Sequence, residues 1–252
     1  MAETPTLVVL HVSPWSERAK WALDHHGIAY RLVQHAPFLG ERKLRRIVGR
    51  REGPVTVPVL VDGERMLSES WDIAMHADRV GTGASLIPAD REPQIREWVA
   101  VADVTSSAGR AMVVSALLRS PAALDESVPP PAPTWIRPLF RPFTRFGTRW
   151  FARKYGLDID DTSAAESKVR AGLDRLREGL RGKDHLLGDF SYADVAMATV
   201  LQGIRPVADE YLPLGPATRE TWTKPQLAAD YEDLLQWRDS LYTRHRPTRV
   251  RS

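Results

Sequence analysis

The feature that most constrains this chain is a short apolar run that turns directly into a helix. Residues 7–12 read LVVLHV, a composition that favours a buried strand. The next four residues read SPWS, in which Ser13 can cap a helix and Pro14 fits a first turn that needs no backbone donor. This places a hydroxyl at a strand-to-helix junction, where free backbone N–H groups and the helix dipole favour an anion.

Strand and helix patterns alternate along residues 1–80. The first helix continues at helical spacing to His26, and Gly27 ends it. The pattern predicts six further features: a strand parallel to the first over 28–33, an irregular basic helix over 37–51, a strand over 55–61, a tight turn at 62–63, a return strand over 65–67 and a helix over 68–80. This alternation is typical of an α/β domain built on a small sheet.

Pro58 stands in the middle of the apolar strand predicted over residues 55–61. A proline removes one backbone donor from a sheet, so it suits an edge strand or a cis peptide bond. A bend at this point offers the backbone of Val57 to a molecule outside the protein. An edge-strand proline with no ligand explains the residue equally well.

Three motifs together resemble the thioredoxin-like N-terminal domain of cytosolic glutathione S-transferases of the serine type: SPWS, VPVLVDG and SESWDI. The resemblance implies that Ser13 is the catalytic residue, with Ser16 as a rival donor. It also implies that the thiol cofactor, glutathione or a related low-molecular-weight thiol, is bound by five residues: Trp15, Val57, Pro58, Glu69 and Ser70.

Simple energetics agree with that implication. A free thiol has a pKa of about 8.5, and lowering it by about two units requires about 2.7 kcal/mol. One charge-assisted hydrogen bond of about 1.5–3 kcal/mol, with a helix-dipole contribution of about 0.3–1 kcal/mol, is sufficient. Ser13 therefore needs only to donate a hydrogen bond to sulfur. Ser70 can bind a carboxylate at a second helix start, while Glu69 can pair with an ammonium group.

The glycyl carboxylate of glutathione implies one more, basic contact. The candidates remain open among six residues: Arg42, Lys43, Arg45, Arg46, Arg50 and Arg51. The family commonly shows N-P-x-G-x-V-P before the bend, and residues 50–58 depart from that pattern.

The remainder of the chain has helical periodicity. Residues 1–80 are interpreted as a thiol-binding domain, 81–93 as a linker and 94–252 as an all-helical domain of the glutathione-transferase type. The clearest helix start is FSYADV at 190–195, where Ser191 and Asp194 form a capping box that resembles the one in the family's C-terminal domain.

An insertion at about 120–156 is rich in proline at first and then in aromatic and basic residues. Arginine recurs at every fourth position from Arg137 to Arg153. Such a helix can lie on an anionic membrane or phosphate surface. We expect instead that its aromatic side chains pack on the domain or wall an apolar pocket, and that Pro138 and Pro142 weaken its first half.

Composition excludes several alternatives. The chain has no cysteine, so it has neither a disulfide framework nor a cysteine nucleophile, and any thiol must arrive with the substrate. A balance of 35 basic and 32 acidic residues does not imply nucleic-acid binding. Histidine spacing suggests no metal site, and neither a membrane span nor a signal peptide is expected, which makes the cytoplasm the expected location.

The sequence therefore predicts an enzyme of the glutathione S-transferase type, in which Ser13 steadies a thiolate for attack on a small hydrophobic electrophile. Two alternatives remain: a non-catalytic binding or adaptor protein that resembles a ligandin, and a glutathione-dependent isomerase of the zeta type. Family resemblance also implies a homodimer and a role in detoxification.

Overall fold

The computed structural model describes residues 4–128 and 132–246. The prolines at 129–131 lie outside them. The strands are β1 Thr6–Val9, β2 Arg31–Gln34, β3 Val59–Asp62 and β4 Arg65–Leu67. The α-helices are α1 Pro14–His25, α2 Glu41–Ile47, α3 Ser70–Val80, α4 Glu92–Arg119, α5 Pro121–Glu126, α6 Arg141–Lys154, α7 Ser163–Leu180, α8 Tyr192–Val200, α9 Pro216–Trp222, α10 Pro225–Asp230 and α11 Glu232–His245.

The strands form one mixed sheet in the order β2-β1-β3-β4. β1 pairs in parallel with β2 and antiparallel with β3, and β3 pairs antiparallel with β4. The parallel pairing of β1 and β2 confirms the βαβ unit. With its flanking helices this is a thioredoxin-like arrangement. In the part of the chain that the structure describes, all elements after α3 are helices, so the predicted fold class is confirmed.

Some predicted boundaries are wrong in instructive ways. The strand predicted over 28–33 begins only at Arg31, after the positive-φ turn at Gly27. The strand predicted over 55–61 begins at Val59, directly after Pro58, because a proline has no backbone N–H to donate to the sheet. The irregular basic helix shortens to α2.

A small aliphatic core supports the sheet from the side of α2. It consists of Val8, Leu44, Val48, Val55 and Val59, all of them buried. Alternate residues of β1 and β3 therefore meet the one apolar stripe of a helix that is otherwise polar and basic. Elsewhere in this α/β region, α1 and α3 pack against each other.

Contacts divide the chain into two compact units. The first contains the residues up to Ala100, Gly182–Thr199 and the residues from Ser240, and the second contains Val101–Arg181 and Val200–Asp239. The C-terminal part of the sequence therefore returns to the first unit in two segments. The domain boundaries suggested by the sequence remain a prediction.

The helix start at Ser191 forms as the capping motif predicts. Asp194 accepts hydrogen bonds from the backbone N–H of Ser191 at 2.9 Å and from the N–H of Leu186 at 2.8 Å. Every residue of α8 is buried, in agreement with its nearly continuous apolar sequence. Burial raises the pKa of the Asp194 carboxyl, although the hydrogen bonds it accepts act in the opposite direction.

Within the second unit, α4 and α7 approach closely at a glycine. A Cβ atom on Gly172 would lie 2.1 Å from the hydroxyl oxygen of Thr105, which itself bonds the carbonyl of Val101 at 2.7 Å. Only glycine leaves room for this contact. α4 is also the one described helix long and apolar enough to cross a membrane, and 56% of its apolar window is buried within the structure, as in an ordinary core helix.

The basic and aromatic segment is helical, and its prolines act as predicted. A 3₁₀ helix, Thr134–Phe140, contains Pro138, and α6 begins next with Pro142 in its first turn. The expectation that the aromatic side chains are packed away is wrong for much of the segment. Its exposed large hydrophobic residues are Trp135, Leu139, Phe140, Phe143 and Phe146.

Candidate functional site

Strand register brings the predicted site residues to one end of the sheet. β1 ends at Val9, and Val8 lies opposite Val59, the first residue of β3. Leu60 lies opposite Leu67, the last residue of β4. Three segments therefore lie at the same end of the sheet: the one after β1, the one before β3 and the one after β4. These three segments carry Ser13, Val57 and the pair Glu69-Ser70.

Ser13 is the N-cap residue of α1. Its backbone is extended, with φ −82° and ψ 128°, and its Oγ accepts a hydrogen bond from the N–H of Ser16 at 3.5 Å. That distance is at the long limit for a hydrogen bond, so the contact is weak. The side chain is half-buried, and its hydroxyl proton remains available for donation because the cap uses the oxygen only as an acceptor.

Ser16, the rival donor, has a different environment. It is 0% exposed, and its Oγ accepts a hydrogen bond from the backbone N–H of Leu10 at 3.2 Å. The hydroxyl of Ser16 thus joins the end of β1 to the first turn of α1, and the N–H of Ser13 bonds the carbonyl of the same Leu10 at 2.9 Å. These contacts fix the loop that holds Ser13.

The Val57–Pro58 peptide bond is cis, which agrees with one of the two expectations from the sequence. Continuing the register beyond Val59 brings Val57 opposite Leu10, outside the hydrogen-bonded ladder. Val57 is half-buried and Pro58 is buried, so the backbone of Val57 lies at the sheet end while the proline ring packs inside.

Trp15 is half-buried, with the guanidinium of Arg18 5.5 Å from its ring centroid.

Glu69 and Ser70 form the start of α3. Glu69 is the extended N-cap residue and is exposed, whereas Ser70 is buried in the first turn. The hydroxyl of Tyr192 donates to the backbone carbonyl of Ser70 at 3.0 Å, and the ring of Tyr192 lies 5.9 Å from that of Trp71. The sequence did not predict this contact of Tyr192, because Tyr192 and Ser70 are 122 residues apart along the chain.

Two helix N-termini therefore point to the same end of the sheet. α1 and α3 each begin there, and each contributes the positive end of its dipole. α2 begins at this end as well, because β2 runs parallel to β1, although seven residues make it short. The combined field favours a negatively charged ligand.

The basic candidates on and after α2 remain mostly on the surface. Arg45 lies 3.4 Å from Glu41 in an i,i+4 pair, and its other guanidinium nitrogen donates to the carbonyl of Arg51 at 3.4 Å. Its neighbours Arg42, Arg46 and Arg50 are exposed. The glycyl-carboxylate contact stays open among these residues.

A buried cluster of charged side chains attaches α1 to the last described segment of the chain. Arg246, in the last described segment, pairs with Glu17 and with Asp24 at 2.7 Å each, and Lys20 also contacts Glu17. Burial alone raises the pKa of Glu17, but Arg246 and Lys20 outweigh it and hold the pKa at about 2. No local sequence signal links residue 246 to residue 17.

Aromatic and histidine rings complete that attachment. The indole N–H of Trp21 donates to the carbonyl of His245 at 3.0 Å, and the ring of His245 stacks on Phe190 at 3.9 Å. Burial, the largest cause, lowers the pKa of His245, and the same holds for His26. Across the described residues, 4–128 and 132–246, no group of three or more metal-ligating side chains could hold a metal ion.

Comparison with protein families identifies the first domain. Residues 7–80 match the family described as the glutathione S-transferase N-terminal domain. This match covers all three motifs that carry the resemblance. Among curated proteins, none matches the sequence.

Solved structures with the same fold cover nearly the whole chain. A glutathione transferase from Phanerochaete chrysosporium is 14% identical, with a TM-score of 0.66 and coverage of 98% of this chain and 100% of that one. A glutathione S-transferase from Methylobacillus flagellatus, solved with glutathione bound, is 18% identical, with a TM-score of 0.59 and 95% coverage of both chains.

A third structure is the Methylobacterium radiotolerans glutathione S-transferase in complex with glutathione sulfonate. It is 19% identical, with a TM-score of 0.57, and the match covers 98% of this chain and 97% of that one. Identities this low show the fold rather than a shared substrate. Residues 7–80 thus match the glutathione S-transferase N-terminal domain, and the chain has the glutathione S-transferase fold along nearly its entire length.

Proposed function

We propose that this protein binds glutathione, or a related low-molecular-weight thiol, at the end of the sheet where Ser13, Val57 and Glu69-Ser70 converge. The observation that carries the proposal is this convergence, together with two helix N-termini that begin at the same end. Two family structures hold glutathione or its sulfonate, which supports the same ligand class here. Homodimer formation, a cytoplasmic location and a role in detoxification belong to the same proposal.

Each candidate residue has a chemical part in this binding mode. The Ser13 hydroxyl donates to the thiolate sulfur, and the α1 dipole adds to its stabilisation. The backbone of Val57, before the cis Pro58, pairs with the cysteinyl part of the tripeptide, and Trp15 lines the same edge. At the other end, Glu69 pairs with the γ-glutamyl ammonium, while the first turn of α3 at Ser70 holds its carboxylate.

The proposed reaction is a thiol transfer to a small hydrophobic electrophile. With a chlorinated nitroaromatic, the thiolate attacks the carbon that bears chlorine, the C–S bond forms, and chloride leaves with the electron pair of the C–Cl bond. The thiol proton passes to solvent when the cofactor ionises. Ser16 then acts as a positioning residue, because its hydroxyl is buried and joins Leu10 to α1.

The test combines retention on immobilised glutathione with conjugation of a chlorinated nitroaromatic. We expect Ser13→Ala to lower kcat/KM about 10- to 100-fold, the range of one hydrogen bond to a charged group. Ser120→Ala is the matched control, since Ser120 also caps a helix that begins with proline. Its activity should equal that of the unaltered chain.

The other outcomes separate the alternatives. Retention on glutathione without turnover by the unaltered chain would identify a binding or adaptor protein. Turnover that survives Ser13→Ala unchanged would contradict the proposed role of Ser13. Absence of both retention and turnover would contradict glutathione as the thiol.

A further inference from the structure

Acidic and basic residues are distributed most unevenly in one segment that lies far in sequence from the candidate site. Residues 127–157 contain no Asp or Glu and six basic residues: Arg137, Arg141, Arg145, Arg149, Arg153 and Lys154. Since the whole chain has 35 basic and 32 acidic residues, the remainder has 29 basic against 32 acidic, a formal charge of −3. The positive net charge of the protein therefore resides in this one segment.

The same segment exposes large apolar side chains. Trp135 is 80% exposed and Leu139 78%, and Phe146 is more than half exposed. We call these three, together with the exposed Phe140 and Phe143, the aromatic patch. Isolated exposed hydrophobic residues are ordinary on a protein surface. Five within twelve consecutive positions of two successive helices are a concentration of exposed apolar area of the kind that marks an interaction site.

The arginines of α6 run alongside the aromatic patch. Arg145, Arg149 and Arg153 are spaced by four residues and are exposed, so they form one row along the helix. Phe143 and Phe146 lie on the adjacent row. The surface therefore presents a basic stripe beside an apolar stripe, and both face outward.

Contacts within the second unit fix the segment in place. Arg141 makes a bidentate ion pair with Asp125, with nitrogen–oxygen distances of 2.7 and 2.6 Å. Thr148 bonds the carbonyl of Thr144, and Ala152 is buried. Phe151 is half-buried and its ring lies 4.7 Å from that of Tyr155. α6 is therefore packed on one side, and its exposed side needs no refolding to bind a surface.

We propose that the face formed by the 3₁₀ helix Thr134–Phe140 and α6 binds an anionic phospholipid membrane surface. A bilayer interface accepts both halves of this face at once: aromatic and leucine side chains enter at the headgroup level, and arginines meet lipid phosphates. The proposal is independent of the thiol site.

Two other occupants fit the face less well. A second copy of this chain, packed by two-fold symmetry on the same face, would bring one segment of charge +6 against another. A nucleic acid would match the arginines through its phosphates, but it offers little apolar surface to cover the exposed Leu139 and Phe140. An anionic membrane is the one surface complementary to both stripes.

Vesicle flotation tests the proposal with the full chain. We expect binding to vesicles of phosphatidylcholine with phosphatidylglycerol and little binding to phosphatidylcholine alone. The variant Arg145→Gln, Arg149→Gln, Arg153→Gln should lower the partition coefficient about 100-fold, at roughly fivefold for each basic residue near an anionic surface. Trp135→Ser with Leu139→Ser should lower it at least about tenfold through lost apolar burial.

The matched control removes the same charge elsewhere. Lys168→Gln, Arg175→Gln, Lys183→Gln changes three exposed basic residues outside the segment, and its partition coefficient should stay within about twofold of the unaltered chain. Raising NaCl from about 0.1 to about 0.5 M should release the unaltered chain from the vesicles. This salt titration tests the electrostatic contribution to vesicle binding even if a variant fails to fold.

Several results would overturn the proposal. Among them are no binding to anionic vesicles, equal binding to neutral and anionic vesicles, and equal loss in the control variant. Binding to a DNA duplex without vesicle binding would assign the face to nucleic acid instead. A concentration-dependent dimer abolished by the triple Arg variant, without vesicle binding, would assign it to a second copy.

Discussion

Two helices of this protein begin with the same two residues, serine followed by proline, yet they have different surroundings. Ser13 begins α1 and Ser120 begins α5, and in each helix the serine oxygen accepts from the N–H three residues later. The distance is 3.5 Å at Ser13 and 3.2 Å at Ser120. A serine cap alone therefore says little about function, and the longer contact leaves Ser13 less committed to its helix.

What surrounds each helix start makes the difference. α1 follows a strand, and the register of the sheet brings the start of α3 and the cis peptide bond at Pro58 to the same end. α5 follows α4 directly, without a strand, so no second segment converges there by sheet geometry. A binding site therefore needs other segments that converge on the helix start, in addition to a serine cap.

The two helices are also held by different means. α1 is held by the buried guanidinium of Arg246 against Glu17 and Asp24. α5 is held by its own last residue, Glu126, which accepts from the N–H of Ala217 at 3.0 Å and the N–H of Thr218 at 2.7 Å at the start of α9. The attachment of α1 depends on Arg246, which is more than 200 residues away in sequence. The attachment of α5 depends on a carboxylate of the helix itself.

The largest effect is expected from breaking the attachment of α1. Arg246→Met leaves two buried carboxylates without their partner, which typically lowers the free energy of unfolding by about 3–5 kcal/mol. For a chain of this size we expect the melting temperature to fall by about 10 °C. Thermal unfolding followed by circular dichroism measures it.

The control for that variant is Arg244→Met. Arg244 lies 3.6 Å from Asp184, and both side chains are exposed, so the expected loss is about 0–1 kcal/mol. Equal melting temperatures for Arg246→Met and Arg244→Met would show that the ion cluster does not hold α1.

The effect of Arg246→Met should depend on pH. The pKa of Glu17 is about 2 in the folded protein and about 4.5 in the unfolded chain, so its ionised form contributes stability fully above pH 4.5. That contribution, roughly 3 kcal/mol, is lost as the pH falls towards 2. Below pH 4.5 the difference between the unaltered chain and Arg246→Met should shrink.

Urea unfolding between about pH 3 and pH 7 measures that difference. The corresponding difference for Arg244→Met should stay flat, since its pair is exposed. A gap for Arg246→Met that stays constant down to pH 3 would mean that Glu17 is not the group responsible.

The smallest effects concern the caps themselves. Ser120→Ala should cost about 1 kcal/mol of stability and Ser13→Ala about 0.5 kcal/mol, because the cap contact of Ser13 is longer. Urea denaturation of both variants measures the difference. A larger loss for Ser13→Ala than for Ser120→Ala would mean that Ser13 is mainly a structural cap.

Local patterns were sufficient to predict several elements of this fold, but not the short helices α5, α9 and α10. The strand before Ser13, the helix that ends at Gly27, the turn at Gly63 and the helix start at Ser191 all follow from nearest-neighbour chemistry, and each element is present. Two boundaries differ from the prediction: β1 ends at Val9 rather than at residue 12, and the turn occupies residues 63–64 rather than 62–63. The predicted start of the strand near Pro58 was wrong, because a proline has no N–H to donate to a neighbouring strand. The convergence of site segments followed only through the family resemblance, since strand pairing is a long-range property.

Other features had no local signal. The contact of Tyr192 with Ser70 joins residues 122 positions apart, and that of Arg246 with Glu17 joins residues 229 apart. The exposure of the aromatic patch contradicted the amphipathic pattern, which favours burial of large apolar side chains. Periodicity tells which residues share a helix face, but it does not tell whether a neighbouring element covers that face.

The most direct test of the central claim is the pKa of the cofactor thiol in the bound state. Glutathione bound to the unaltered chain should show a thiol pKa about two units below the free value of about 8.5, read from the ultraviolet absorbance of the thiolate. Ser13→Ala should return the pKa most of the way to the free value, while Ser120→Ala should leave it lowered. An equally lowered pKa in Ser13→Ala, or an unshifted pKa in the unaltered chain, would contradict the account.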